Sequence, residues 1–197
     1  MKNQLISLVF ITIVLSLSLV GGAFAQDFSA DIVNTNSSGT STGKIFATKN
    51  KIRMEVNGVV SITRMDKNVI WVLMPNGKMY MEQPFDPAAF IGVGEKVSGE
   101  TERTFLGEEM VDGRMAKKYK VVSSLSGKQQ TILQWVDNAS SIPIKIVAQD
   151  NSWAIEYKNL QVGNQSDSLF AFPSDYKKFS ITDDISQQLK KLNELQR

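Results

Sequence analysis

The chain has 197 residues and contains no histidine and no cysteine. That absence removes Ser-His and Cys-His nucleophiles, thiol redox chemistry, the usual zinc and haem ligands, and the commonest general base. Any catalysis would fall to carboxylates or lysines. The candidate acid pairs are Glu108 with Glu109, Asp183 with Asp184, and Glu100 with Glu102. Adjacent residues on a strand point to opposite faces, so Glu108 and Glu109 are poorly placed to cooperate. Glu100 and Glu102 can share a face, but no apolar pocket is evident around them to raise a carboxyl pKa for acid work. Solvated charge is the simpler reading of all three. No Asp/Asn-dense loop with a closing Glu is present for calcium. Gly92-Val93-Gly94 with Gly99 lacks the spacing and the strand-loop-helix frame of a phosphate loop. Asn36, Asn138 and Asn164 open N-x-S sequons, which matter only in a host that glycosylates. The expectation is a non-enzyme with no cofactor and no metal.

What the chain concentrates instead is soft apolar surface. Met54, Met65, Met74, Met79 and Met81 fall within the stretch Gly43 to Gln83, with Trp71 and Tyr80 beside them. Methionine adapts its shape to its neighbours, so such a lining suits flexible acyl chains, although it also fills ordinary cores. The stretch itself holds five short β-type runs separated by Lys49-Asn50, Asn57-Gly58, Asp66-Lys67-Asn68 and Pro75-Asn76-Gly77, residues that reverse an extended chain. In KIRMEV, Ile52, Met54 and Val56 alternate with Lys51, Arg53 and Glu55, giving one dry and one wet face. VIWVLM is apolar on both faces and calls for cover on both sides.

Around this meander the chain divides into three parts. Residues 1–25 carry Lys2, an apolar run from Leu5 to Val20, and an A-x-A exit at Ala23 and Ala25, the pattern of a cleavable export signal. No cysteine follows it to take a lipid anchor. Residues 26–182 are of single-domain size and must be held by burial, without cross-links. DFSADIVN predicts a first strand and the polar tract 35–43 a loop or a long hairpin connection. Asp86-Pro87 followed by Ala88, Ala89, Phe90 and Ile91 predicts a short greasy helix, placed either as a lid over the sheet or as ordinary core packing. Residues 95–102 are expected to be an exposed connection. Further strands run through TFLGEEMV, MAKKYKVVSS, KQQTILQWVD, IPIKIVAQ and SWAIEYKNLQV, with Pro143 near a strand start or on an edge. Leu169, Phe170 and Phe172 are expected to pack on the core. Residues 183–197 predict a C-terminal amphipathic helix with Ile185, Leu189 and Leu192 on one face. The net charge is +2, with Lys and Arg scattered among acids, which excludes a nucleic-acid surface.

The export signal, the "KIRME" strand, the "VIWVLMPNGKMY" hairpin, the "IPIK" strand with its partner "IEYKNLQ" and the closing "LFAFPSDYKK" together resemble the LolA/LolB-like superfamily of envelope lipid and lipoprotein carriers, and most closely its uncharacterised exported relatives. The resemblance spans most of residues 43 to 179. It implies a mainly β fold, a curved antiparallel sheet forming a half-open barrel, with helices plugging a concave side that encloses a cavity for acyl chains. It also implies a cargo-orienting role for Arg53, the nearest counterpart of an early-strand arginine in the carriers. The C-terminal helix has no place in that pattern.

The sequence therefore leads to a periplasmic, non-enzymatic binding or carrier protein that shelters a lipid or lipoprotein acyl chain. The expected lining is Ile45, Met54, Val56, Ile62, Trp71, Leu73, Met79, Met81, Leu133, Trp135, Ile146 and Ile155, beneath Phe85, Phe90 and Ile91. The alternative is an envelope sensing or scaffolding domain that docks another protein through the sheet and the C-terminal helix. Mass spectrometry of the N-terminal peptide of the exported protein should show Gln26 as the first residue. A chain that retains Met1 to Ala25 in the membrane fraction would contradict it.

Overall fold

A computed structural model describes residues 26–85, 94–125 and 127–179. The expected lid helix with Phe90 and Ile91, the C-terminal helix and the export signal lie outside the described residues. Within them the chain forms twelve strands and three short 3-10 turns, with no α-helix. The strands are β1 (Phe28–Asn36), β2 (Gly39–Thr48), β3 (Lys51–Val56), β4 (Val59–Arg64), β5 (Val69–Met74), β6 (Met79–Pro84), β7 (Glu100–Val111), β8 (Arg114–Leu125), β9 (Lys128–Asp137), β10 (Pro143–Ala148), β11 (Trp153–Val162) and β12 (Lys177–Lys178). They make one open sheet in the order β12-β6-β5-β4-β3-β2-β1-β11-β10-β9-β8-β7. Every pairing is antiparallel except the short parallel one between β12 and β6.

The turn residues do what their chemistry requires. Asn57 and Gly58 both take positive φ, 52° and 76°, as do Asp112 and Gly113 at 48° and 74°, the conformation that joins two strands without splaying them. The two longer reversals after β4 and β5 are single 3-10 turns that end in left-handed residues, Asn68 and Lys78. Of the two readings of the polar tract 35–43, the structure takes the hairpin connection. β1 runs to Asn36 and β2 starts at Gly39, so most of the tract is a hairpin ribbon. Threonine favours the pleated conformation, the Thr35 and Thr40 hydroxyls meet at 3.2 Å, and the Asn36 side chain accepts the Ser38 amide at 2.8 Å.

Face assignment follows from register. Ala30, Ile45, Met54, Ser61, Val72 and Met81 stand opposite one another on successive strands and form one continuous row. Phe28, Ala47, Ile52, Thr63, Ile70 and Gln83 form the next row on that same face, here called face A. Face A carries the main core: Phe28, Ile45, Ala47, Ile52 and Tyr157 are all buried, and Phe28 and Tyr157 stack at 5.9 Å. The opposite face, face B, holds Phe46, Arg53, Ile62, Trp71 and Tyr80. It is covered at β3–β6 by the returning chain Leu169, Phe170, Phe172 and Tyr176. This agrees with the two-sided cover expected for VIWVLM: Val72 on face A and Leu73 on face B are each 2% exposed.

The sheet is curved enough for its distant strands to touch. Asp112, in the turn between β7 and β8, accepts the Asn159 amide of β11 at 2.8 Å, and Arg114 donates to the Leu160 carbonyl at 2.9 Å. Those partners lie three and four strands apart in the sheet. Register shifts in β1/β11, in β7 and in β10 supply the bends. Asp137 anchors the curl from inside. It is 2% exposed and accepts from the Ser140 amide, the Ser140 hydroxyl and Arg114 at 2.9, 2.6 and 3.2 Å. Removing that carboxylate would strand three donors, two of them buried. Asp137→Ala is expected to cost about 3 kcal/mol or more in urea unfolding, in the range for breaking a buried ion pair from one side. A loss under about 1 kcal/mol would show that the curl does not depend on it.

Candidate functional site

Register divides the expected lining between the two faces. Ile45, Met54, Val56, Met79 and Met81 lie on face A, and Ile155 and Ile146 continue that face on the far side of β1. Ile62, Trp71, Leu73, Leu133 and Trp135 lie on face B. Phe85 is buried just after β6, where its amide donates to the Asn68 carbonyl at 3.1 Å. The face A group is graded in depth. Ile45, Met54 and Val56 are buried at 0%, 4% and 5%, whereas Ile70, Met74, Met79 and Met81 are half-exposed. The apolar face is thus packed at β2 and β3 and half-exposed at the methionine-bearing strands β5 and β6. Ser61 and Thr63 interrupt it with hydroxyls, because β4 turns its apolar residues Val60 and Ile62 to face B instead.

Face B in this half is a structural clasp. Trp71 and Tyr80 hold the Phe172 ring at 5.0 and 4.7 Å. Arg53 donates to Glu55 at 2.6 Å and to the Leu169 carbonyl at 3.0 Å, and Arg64 donates to the Phe170 carbonyl at 3.3 Å. Lys51–Asp167 and Lys78–Asp175 ion pairs flank the segment. The Lys51 ammonium holds the Asp167 carboxyl below the usual carboxylate range, as Lys78 does for Asp175. The guanidinium of Arg53 is therefore committed to the returning chain, on the face opposite Met54.

At the other end of face A, Glu100, expected as solvated charge, sits in a cluster with Arg103 and Gln134. Arg103 donates to both oxygens of Glu100 at 2.8 Å, to the Gln134 side-chain oxygen at 3.0 Å and to the Glu95 carbonyl at 2.5 Å, and lies 4.8 Å over the Tyr119 ring. Gln134, fully buried, donates to the Gly94 carbonyl at 3.3 Å. These bonds pin residues 94–99 on the sheet, where Val97 packs into Val121, Ile132 and Ile146. The stretch expected to be an exposed connection is thus partly buried, and Glu100 is an ion-paired strand residue. The available signal was Gln134 itself, a lone amide between apolar residues in ILQWV, which needs partners if buried. Next to this cluster a groove of about 650 Å³ opens at the ends of β9–β11, with Ile132, Ala148 and Trp153 against Gln130, Gln149 and Asp150. Among the described residues no group of three or more acidic side chains gathers as a metal site.

Burial pushes the Glu100 carboxyl up, but the bonds from Arg103 and from the Val97 amide outweigh it and hold it below the usual range. A depressed folded pKa contributes stability that is complete above the unfolded value and is lost as pH falls through the folded one. Glu100→Gln should therefore lower stability at pH 7 and flatten its decline between pH 5 and pH 3, measured by urea midpoints across that window. A variant whose pH profile runs parallel to the parent would contradict the assignment.

No protein-family model matches the chain. No curated protein matches it. Solved structures do match. MucB aligns with a TM-score of 0.50 at 12% identity, over 82% of this chain and 62% of its own. The complex of MucA and MucB from Pseudomonas aeruginosa aligns with 0.49 at 13%, over 80% and 59%. The Mycobacterium tuberculosis lipoprotein LppX aligns with 0.44 at 15%, over 71% and 85%. The chain spans about three fifths of the length of the MucB chains. What the first of these likenesses shows is the fold alone: a curved, open, antiparallel sheet of the MucB kind.

Proposed function

We propose that this is an exported, non-enzymatic binding protein that shelters a flexible apolar ligand, the acyl chain of a lipid or lipoprotein, against face A of its curled sheet. One observation carries the reading: the row Ala30, Ile45, Met54, Ser61, Val72 and Met81, apolar but for Ser61, buried at β1–β3 and half-exposed at β6. A hydrocarbon tail lying along it would meet the adaptable side chains of Met54 and Met81 and exchange water for apolar contact at the exposed end. The contact set is Ile45, Met54, Val56, Met79 and Met81, extended by Ile146 and Ile155, while Ile62, Trp71 and Leu73 pack under the returning chain on face B and Leu133 and Trp135 belong to the main core cluster. The resemblance to the envelope carriers and the export signal support the same reading.

Affinity for such a ligand is set by buried methylenes at about 0.8 kcal/mol each, roughly fourfold in Kd per carbon. Organic extraction of the purified protein followed by mass spectrometry should release a lipid, and fluorescent fatty acids should bind more tightly as their chains lengthen. Met81→Lys on face A should weaken that binding at least tenfold, whereas Glu82→Gln on the opposite face should leave it unchanged. An extract free of lipid together with no fatty-acid uptake, or equal effects of the two substitutions, would sink the reading.

A further inference from the structure

The groove at the ends of β9–β11 has a chemistry that the apolar row on face A does not share. Its floor is apolar: Ile132 stands opposite Ala148, and Trp153, the first residue of β11, lines the groove with its indole half-exposed while also packing on the cluster around Val97. The walls are amides, a hydroxyl and a carboxylate. Gln129 and Gln130 come from β9, and Gln149, Asp150 and Ser152 from the turn between β10 and β11. Among the lining residues there is no lysine or arginine. The volume of about 650 Å³ falls within the ~300–1,000 Å³ of small-molecule sites.

Here the backbone is committed and the side chains are not. The Gln149 amide donates to the Thr131 carbonyl at 3.1 Å, the Asn151 amide to the Ala148 carbonyl at 2.9 Å and the Ser152 amide to the Asp150 carboxylate at 3.0 Å. An incoming peptide strand would find little ladder to join. By contrast, the side-chain amides of Gln129, Gln130 and Gln149 and the indole N–H of Trp153 make no hydrogen bond among the described residues. Asp150 uses one oxygen, Oδ1, for both the amide and the hydroxyl of Ser152, at 3.0 and 2.6 Å. The Ser152 hydroxyl holds that carboxyl below the usual carboxylate range, so it is an acceptor at neutral pH. On β8, directly opposite Gln130, the hydroxyl of Ser123 is buried with no partner among the described residues. A buried hydroxyl is ordinarily satisfied, so this one calls for a polar neighbour that the fold does not itself supply.

These groups select a ligand class. Each glutamine amide offers donors and an acceptor together, the counterpart of a sugar hydroxyl that both donates and accepts. The indole face, negative at its centre, attracts the C–H face of a pyranose ring. An anion would meet no counter-charge, and a hydrocarbon would strand the amides. We infer that this groove binds a neutral pyranose unit, stacked on Trp153 and hydrogen-bonded by Gln129, Gln130, Gln149 and Asp150. The inference does not depend on the acyl-chain reading. Ile155, two residues from Trp153 along β11, belongs to the acyl contact set, so a sugar carried on a lipid could engage both.

The test titrates the full mature chain, labelled with nitrogen-15, with the linear tetrasaccharides of glucose and of N-acetylglucosamine, and follows the glutamine side-chain amides by NMR. At least one tetrasaccharide should shift the signals of Gln130 and Gln149 saturably at or below about 10 mM, while Gln161 and Gln165, outside the groove, stay still. Gln130→Leu should weaken binding by about fivefold, the loss of one hydrogen bond, and Trp153→Leu by about tenfold or more. If Trp153→Leu does not fold, the double replacement of Gln130 and Gln149 by leucine should weaken binding by about tenfold or more. The methyl and octyl glycosides of the sugar that binds separate its sources: tighter binding of the octyl form gives the groove to a glycolipid head group, equal binding to a glycan without a tail. No saturable shift with either tetrasaccharide, shifts that extend equally to Gln161 and Gln165, or an affinity indifferent to the replacements would overturn the inference.

Discussion

An open sheet with one strongly apolar face has to hide that face, and among the described residues there is no helical layer to lay over it. The solution is to bend the sheet until it meets itself. The tip of the β7–β8 hairpin reaches β11 through Asp112 and Arg114, skipping the intervening strands, and the buried carboxylate of Asp137 ties the same arginine to the turn before β10. Burying one fully hydrophobic side chain such as Phe28 or Ile45 contributes about 1.5–3 kcal/mol, so a floor of several such residues easily outweighs the local cost of the bulges that make the bend. The curl is thus a consequence of burial, and the ion pair fixes where it happens.

The other half of the molecule meets the same demand differently. From β4 onward the strands are apolar on face B as well, and here the returning chain supplies cover: Phe170 is fully buried over Ile62 and Leu73, and Phe172 lies between Trp71 and Tyr80. Arginines 53 and 64 bind the carbonyls of that segment, satisfying backbone groups that a strandless stretch would otherwise leave unpaired. The half-exposed methionines of β5 and β6 are the accessible apolar surface of face A in this region, while on face B Val69, Trp71 and Tyr80 keep part of their surface open beside the clasp. β4, with Val60 and Ile62 inward to the clasp and Ser61 and Thr63 toward face A, is where the two schemes meet.

Much of the strand pattern was legible from period-two alternation and turn chemistry. KIRMEV declared its dry side, Pro143 began a strand as expected, and Leu169, Phe170 and Phe172 packed where their clustering predicted. What alternation within each strand could not supply was parity between strands. Ile62, Trp71 and Leu73 share hydrophobicity with Met54 and Met81 but not a face, and only the length of each turn decides that. The hairpin ribbon from Thr35 to Thr42 was legible only as an alternative to a loop, because its threonines and serines carry strand preference without the apolar signal. Glu100 looked like solvated charge because the partners that hold its Arg103 in place, Gln134, Tyr119 and the carbonyl of Glu95, lie on other strands or across a turn.

The central claim, that face A and not face B receives a hydrocarbon chain, has a direct reading in methyl NMR with a fatty acid spin-labelled near its tail. The methyl signals of Ile45, Met54, Val72 and Met81 should broaden in proportion to bound ligand while those of Ile62 and Leu73, one residue away on the same strands or their neighbours, stay sharp. Broadening shared equally by both sets, or confined to Ile62 and Leu73, would show that the apolar row on face A is only a core.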